Sequence, residues 1–78
     1  MTRRLPPSLA DRAVTMCAWA QSVPPAIVTS DDRSTDAVQA RHNAMRILRA
    51  MGYSTAEIGR ALGRDHSTVS YATRKVAA

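Results

Sequence analysis

Residues 54–76, STAEIGRALGRDHSTVSYATRKV, hold two apolar runs at helical spacing, separated only by Gly63, Arg64 and Asp65. Ser54 and Glu57 have the capping-box spacing, so a short helix starts there: the Ser side chain takes one orphan N–H and the Glu reaches back to another. Gly63 ends that helix after Leu62, and Asp65 can cap a further helix from His66 to about Val76. Two short helices joined by so tight a turn suggest a helix-turn-helix. That unit needs an aliphatic anchor, a small residue where the helices cross, a second aliphatic, a turn glycine and later anchors. Ile58, Gly59, Leu62, Gly63, Val69 and Ala72 fill those places in order. Gly59 costs about 1 kcal/mol of helix propensity against Ala, a cost that makes sense if the second helix passes directly over it. One place departs: the residue after the turn glycine is usually apolar and here is Arg64.

The rest of the chain reads as helical too. Two proline pairs, Pro6-Pro7 and Pro24-Pro25, bracket a first helix from about Leu9 to Gln21. Ser8 is its expected N-cap, and Leu9, Ala13, Met16, Cys17 and Ala20 form its apolar stripe. Residues 22–34 form a connector in which Ile27 and Val28 plug into the core. Ser34 or Thr35 caps a second long helix running to about Met51, with Val38, Ala44, Met45, Leu48 and Met51 buried and Gly52 at its C′ position. Trp19 is expected to be the large core filler of an otherwise aliphatic domain. No stretch alternates as a strand would, so the expectation is an all-α fold of four or so helices. It is read as one domain over 1–78, with 1–7 a flexible arm, 22–34 the connector and 54–76 the helix-turn-helix. A chain of 78 residues buries a modest core, worth on the order of 3–5 kcal/mol of stability.

Charge narrows the partner. The net charge is +5, and acids and bases cancel over residues 1–40. Arg41, Arg46, Arg49, Arg60, Arg64, Arg74 and Lys75 then face only Glu57 and Asp65. Arginine's planar fork suits phosphate oxygens and guanine edges, which favours nucleic acid over anionic lipid. Arg46, Arg49 and Arg60 are read as a solvent face. The single cysteine, Cys17, lies in the first helix's stripe and cannot form an internal disulfide. Neither a signal pattern nor a membrane-length apolar run occurs, so the expected location is cytoplasmic and nucleoid-associated. Cys17, His42 and His66 lack zinc-ligand spacing, and no nucleophile–base pair or phosphate-binding GxxxxGK[ST] loop is readable. The expectation is a non-enzyme without metal or cofactor.

In a helix-turn-helix the first turn of the second helix enters the major groove. His66, Ser67 and Thr68, with Tyr71 further along, are the side chains placed there. Hydroxyls and imidazole can bond to base edges, and the Thr methyl can meet a thymine methyl. Asp65 can either cap the helix or accept from a cytosine amino group.

These residues resemble a known family. AEIGRALGRDHSTVSYATRK is similar to the signature of the C-terminal DNA-binding domain (domain IV) of the bacterial replication initiator DnaA. The matching elements are Ile58-Gly59, Arg64-Asp65-His66, Ser67-Thr68-Val69 and Arg74-Lys75, and RHNAMRIL upstream resembles the opening of that family's long helix. The resemblance implies that Asp65, His66, Ser67 and Thr68 read the major groove of an AT-rich box and that Arg41 reaches into the adjacent minor groove. It implies phosphate contacts for Arg64, Arg74 and Lys75, with Ser54 beside them. This chain departs in having one turn glycine, in carrying Asp31 and Asp32 where the connector is usually basic, and in Ser67 for a common Thr. The expected function is sequence-specific binding of double-stranded DNA, as a monomer, in transcriptional or replication control. Two alternatives stand beside it: a protein-interaction module that meets an acidic partner and docks through the N-terminal helix, and a competitor for initiator boxes.

Overall fold

The computed structural model describes residues 4–74. Within them the chain forms five helices: α1 (Pro7–Ala20), α2 (Pro25–Val28), α3 (Thr35–Ala50), α4 (Thr55–Leu62) and α5 (His66–Arg74). The all-α expectation holds. α3 is the central element and packs against each of the other four.

Helix starts follow from proline and hydroxyl chemistry. Pro7 occupies the first position of α1, where a missing N–H costs nothing and the fixed φ is already helical. The N-cap is therefore Pro6 and not Ser8, which lies within the first turn. At α3 the Ser34 hydroxyl accepts from the Ala37 N–H at 3.3 Å, and at α4 the Ser54 hydroxyl accepts from Glu57 at 3.1 Å. The Glu57 carboxylate turns away from its expected cap. It accepts from the Leu5 N–H at 3.3 Å and pairs with Arg60 at 2.7 Å. Leu5 is buried, so the described end of the segment expected as a flexible arm is pinned at that residue, while Arg4 and Pro6 are exposed.

Three helix ends share one device. After α1, Ser22 N–H donates to Trp19 C=O and Val23 N–H to Ala18 C=O; after α3, Gly52 and Tyr53 do the same toward Arg49 and Leu48; after α4, Gly63 and Arg64 toward Arg60 and Gly59. These are Schellman closures, each needing a left-handed residue at C′. Gly52 (φ 101°) and Gly63 (φ 67°) supply it without strain, but Ser22 adopts φ 59° with a Cβ in the way. Ser22→Gly is expected to stabilise the fold by about 0.5–1 kcal/mol, read as a higher denaturant midpoint. An unchanged or lower midpoint would contradict the assigned backbone.

The core is built from small residues at the crossings and a few larger ones between them. Ala18, Ala37, Ala40, Ala44 and Ala72 are fully buried, as are Met45, Leu48, Ile58, Val28 and Val69. The stripe of α1 is rotated by about one residue from the expected one: Ala10, Ala13, Val14, Cys17 and Ala18 face inward. Met16 (63% exposed) and Trp19 (70%) face out, which corrects their assignment to the core. Tyr53 takes the place expected of Trp19 as the buried aromatic. On α3, Val38 is half-buried and Met51 exposed, while Ala37, Ala40 and Arg41 complete the inner face. Among the described residues no helix is long and apolar enough to cross a membrane.

Candidate nucleic-acid interface

The α4–α5 unit is fixed by its turn. Gly59 is buried beneath the turn, and a Cβ built there would lie 2.5 Å from the Arg64 carbonyl oxygen and 3.4 Å from the His66 nitrogen. The close element is thus the turn itself and the very start of α5. Gly63 reverses the chain, and Asp65 opens the second helix: its Oδ1 accepts from the Ser67 N–H at 3.4 Å, while its carbonyl accepts from Thr68 at 3.0 Å. Of the two roles open to Asp65, the structure displays the cap.

Beyond the cap, α5 divides by face. Val69 and Ala72 are fully buried and anchor the helix against α3 and α4. Asp65, His66, Ser67, Thr68 and Tyr71 are exposed, so three consecutive side chains of the first turn stand clear of the fold. His66 Nε2 lies 3.9 Å from Asp65 Oδ1, with both side chains 69% exposed. That pairing is loose and solvated, and contributes little to holding the ring. A short helix bolted down by its later turns, with polar side chains bare on its first, can insert into a groove without unfolding anything.

The remaining site residues fall into two groups. Arg74 is exposed at the end of α5. Lys75 lies outside the described residues. Ser54 is half-buried and spends its hydroxyl on capping α4, which leaves it a structural task alongside any phosphate contact. Arg64 is half-buried, its Nη2 donating to the Ser30 carbonyl of the connector and its Nη1 to Gly63 at 3.3 Å. Its position is C″ of the α4 closure, where an apolar contact is usual. Here a polar tie to the connector replaces it.

Among the described residues 11–74, and through the helix-turn-helix just built, the sequence follows a known pattern. The family described as bacterial dnaA protein helix-turn-helix matches residues 11–76. The chain belongs to that family. No curated protein matches it. As a DnaA-type helix-turn-helix, the chain is a DNA-binding domain by family, and the exposed turn of α5 is the element such a unit offers to DNA.

Set beside that DnaA pattern, Arg41 is engaged inside the fold. Arg41 is 7% exposed. Its Nε donates to the Val28 carbonyl at 2.6 Å, and its Nη2 to Ser30 at 3.2 Å and Asp32 at 2.9 Å. In this conformation the guanidinium is spent on the connector. Burial, and then the charge of Arg64, hold Arg41 below its ordinary pKa, with Asp32 and Asp31 working the other way. The Asp32 carboxylate is in turn held below the usual range, chiefly by the Ser34 N–H that its Oδ1 accepts at 2.8 Å. A carboxylate depressed in the fold adds stability above its ordinary value that fades as the pH falls through the lowered one. The acidic connector is therefore part of the scaffold around an arginine.

Residues read as a solvent face also have internal partners. Arg46 Nε donates to the Ala72 carbonyl at 3.3 Å and Nη1 to Asn43 at 3.1 Å, which ties α3 to α5. Arg49 donates to the Tyr53 carbonyl at 3.0 Å. No spacing rule flags such bonds to carbonyls, because the acceptors carry no sequence signature. The thiol of Cys17 is buried and raised by that burial, which disfavours the nucleophilic thiolate.

Proposed function

We propose that the chain binds double-stranded DNA sequence-specifically as a monomer, with the first turn of α5 in the major groove, in transcriptional or replication control. The single observation carrying this reading is that His66, Ser67 and Thr68 are exposed together on a turn whose helix is anchored by Val69 and Ala72. Asp65 caps α5 through its carboxylate and, in this reading, also accepts from a base edge. Arg64 and Arg74 flank that turn, with Lys75 following in sequence, and supply the phosphate charge. The role is binding alone, with no catalytic step, metal or cofactor, in the cytoplasm at the nucleoid.

Selection of bound sites from random duplex DNA tests it. One preferred sequence is expected to emerge, and its affinity is expected to fall with salt. With three phosphate contacts the log–log slope would be about −2.7, or roughly 40-fold between 50 and 200 mM. No enrichment together with a shallow slope would overturn the reading.

A second reading has its own support. Met16 and Trp19 are bare on α1, and Met16 lines a groove of about 380 Å³ with Cys17, Ala20, Asn43, Arg46 and Ile47. Exposed apolar side chains beside a cation fit a protein partner with an acidic, apolar surface. Occupying initiator boxes as a competitor requires only the DNA-binding reading and no further surface.

A further inference from the structure

Two arginines from distant elements meet at one backbone oxygen. Arg41, on the inner face of α3, and Arg64, in the α4–α5 turn, both donate through Nη2 to the Ser30 carbonyl. A carbonyl oxygen has two lone pairs and can accept both. Two guanidinium groups so close repel each other, and Asp31 and Asp32 directly follow the shared acceptor in the connector. Arg64, which stands where a helix-turn-helix usually has an apolar residue, thereby meets a connector whose Asp31 and Asp32 depart from the usual basic pattern and make its docking tolerable.

We propose that Arg41 is a positioning residue for DNA binding, acting through the Ser30 carbonyl and Arg64 without touching DNA itself. The inference rests on the DNA-binding reading above. Three carbonyls of the connector, those of Val28, Ser30 and Asp32, face inward because one guanidinium satisfies them. Remove that fork and the connector around Ser30 keeps only its own local bonds, those of Ser30 to Ile27 and of Asp32 to Ser30, among the described residues, apart from the Arg64 contact itself. Arg64 then loses its tether. The tether matters because Arg64 immediately precedes Asp65 and the exposed turn of α5. With Nη1 and Nη2 engaged, the guanidinium still has N–H donors to spare for a phosphate. A guanidinium already fixed in place gives up less freedom when it binds.

The test is a cycle of Arg41→Lys, Arg64→Ala and the double variant, in the full chain, on the duplex selected above. Lysine keeps the charge but cannot fork to three carbonyls. The reading is the slope of log affinity against log salt. Arg64→Ala is expected to flatten it by about 0.9, one phosphate contact. Arg41→Lys is expected to flatten it by the same amount, and the double variant by no more. A wild-type slope in Arg41→Lys overturns the proposal, and so does a double variant that loses a second contact, since Arg41 would then meet DNA directly. Either result leaves the DNA-binding reading standing. Failure of the wild-type chain to bind any duplex removes that reading and this one together. Should Arg41→Lys not fold, nitrogen NMR of the wild type decides the matter. Rotation of the Arg64 guanidinium is expected to be hindered both free and on DNA, and fast rotation in both states overturns the proposal.

Discussion

Adding one methyl group at Gly59 is expected to destabilise the fold by about 1–3 kcal/mol, the range for forcing extra volume into a packed site. Helix propensity alone points the other way, since Ala is favoured over Gly by about 1 kcal/mol in a helix interior. The clash decides the sign. The new Cβ would sit 2.5 Å from the Arg64 carbonyl oxygen, a backbone atom that cannot rotate aside as a side-chain end could. The turn has to move, and with it the start of α5. In a domain of this size the loss is a large share of total stability. DNA affinity is expected to fall further than the unfolded fraction explains, because the surviving folded molecules carry a displaced first turn. Gly63→Ala is the control: a Cβ there meets no atom within 4 Å, so only the left-handed φ of 67° is penalised, at about 1 kcal/mol. Chemical denaturation of both variants is the measurement. A Gly59→Ala protein as stable as the wild type would contradict the crossing geometry of α4 and α5.

That geometry was also the most legible part of the sequence. Capping hydroxyls at Ser34 and Ser54, the glycines at 52 and 63, and the order Ile58, Gly59, Leu62, Val69, Ala72 each report a local backbone need. Such needs survive whatever the neighbours do. The α1 stripe was misread for the opposite reason. Leu9, Met16 and Ala20 looked like a buried face because large apolar residues dominate a periodicity count. The helices approach so closely that Ala10, Ala13 and Ala18 are preferred at the contact, which leaves Met16 and Trp19 outside.

Arg41 shows a different limit. Its place in the sequence pattern was visible, and its surroundings were not. The acceptors that bury it are backbone carbonyls of Val28, Ser30 and Asp32, and every residue owns such a carbonyl. Only the folded path of the connector brings three of them to one guanidinium. The same holds for Leu5, whose N–H meets the Glu57 carboxylate that was expected to close its own helix cap. At the candidate site itself, the exposure of His66, Ser67 and Thr68 follows from their position relative to Val69 and Ala72, and the sequence carried that position in full.

The second large effect concerns His66. Its imidazole stands on the bare turn of α5 with a loose 3.9 Å approach to Asp65, so deleting it removes little from the fold. Truncation to alanine is expected to leave the unfolding free energy, read by chemical denaturation, within about 0.5 kcal/mol of the wild type. On DNA the effect should be confined to base recognition, where losing a base-edge contact costs about 1–3 kcal/mol, or up to roughly a hundredfold in affinity. Phosphate contacts are untouched, so the salt slope should stay as it was. Arg74→Ala is the contrasting substitution, expected to weaken all duplexes alike and to flatten the slope.

The direct measurement is therefore the affinity of wild-type and His66→Ala chains for the selected duplex and for a scrambled duplex of equal composition, at one salt concentration. A loss on the selected duplex with none on the scrambled one is the result this account requires. Equal losses on both, or no loss on either, would mean that the first turn of α5 does not read bases.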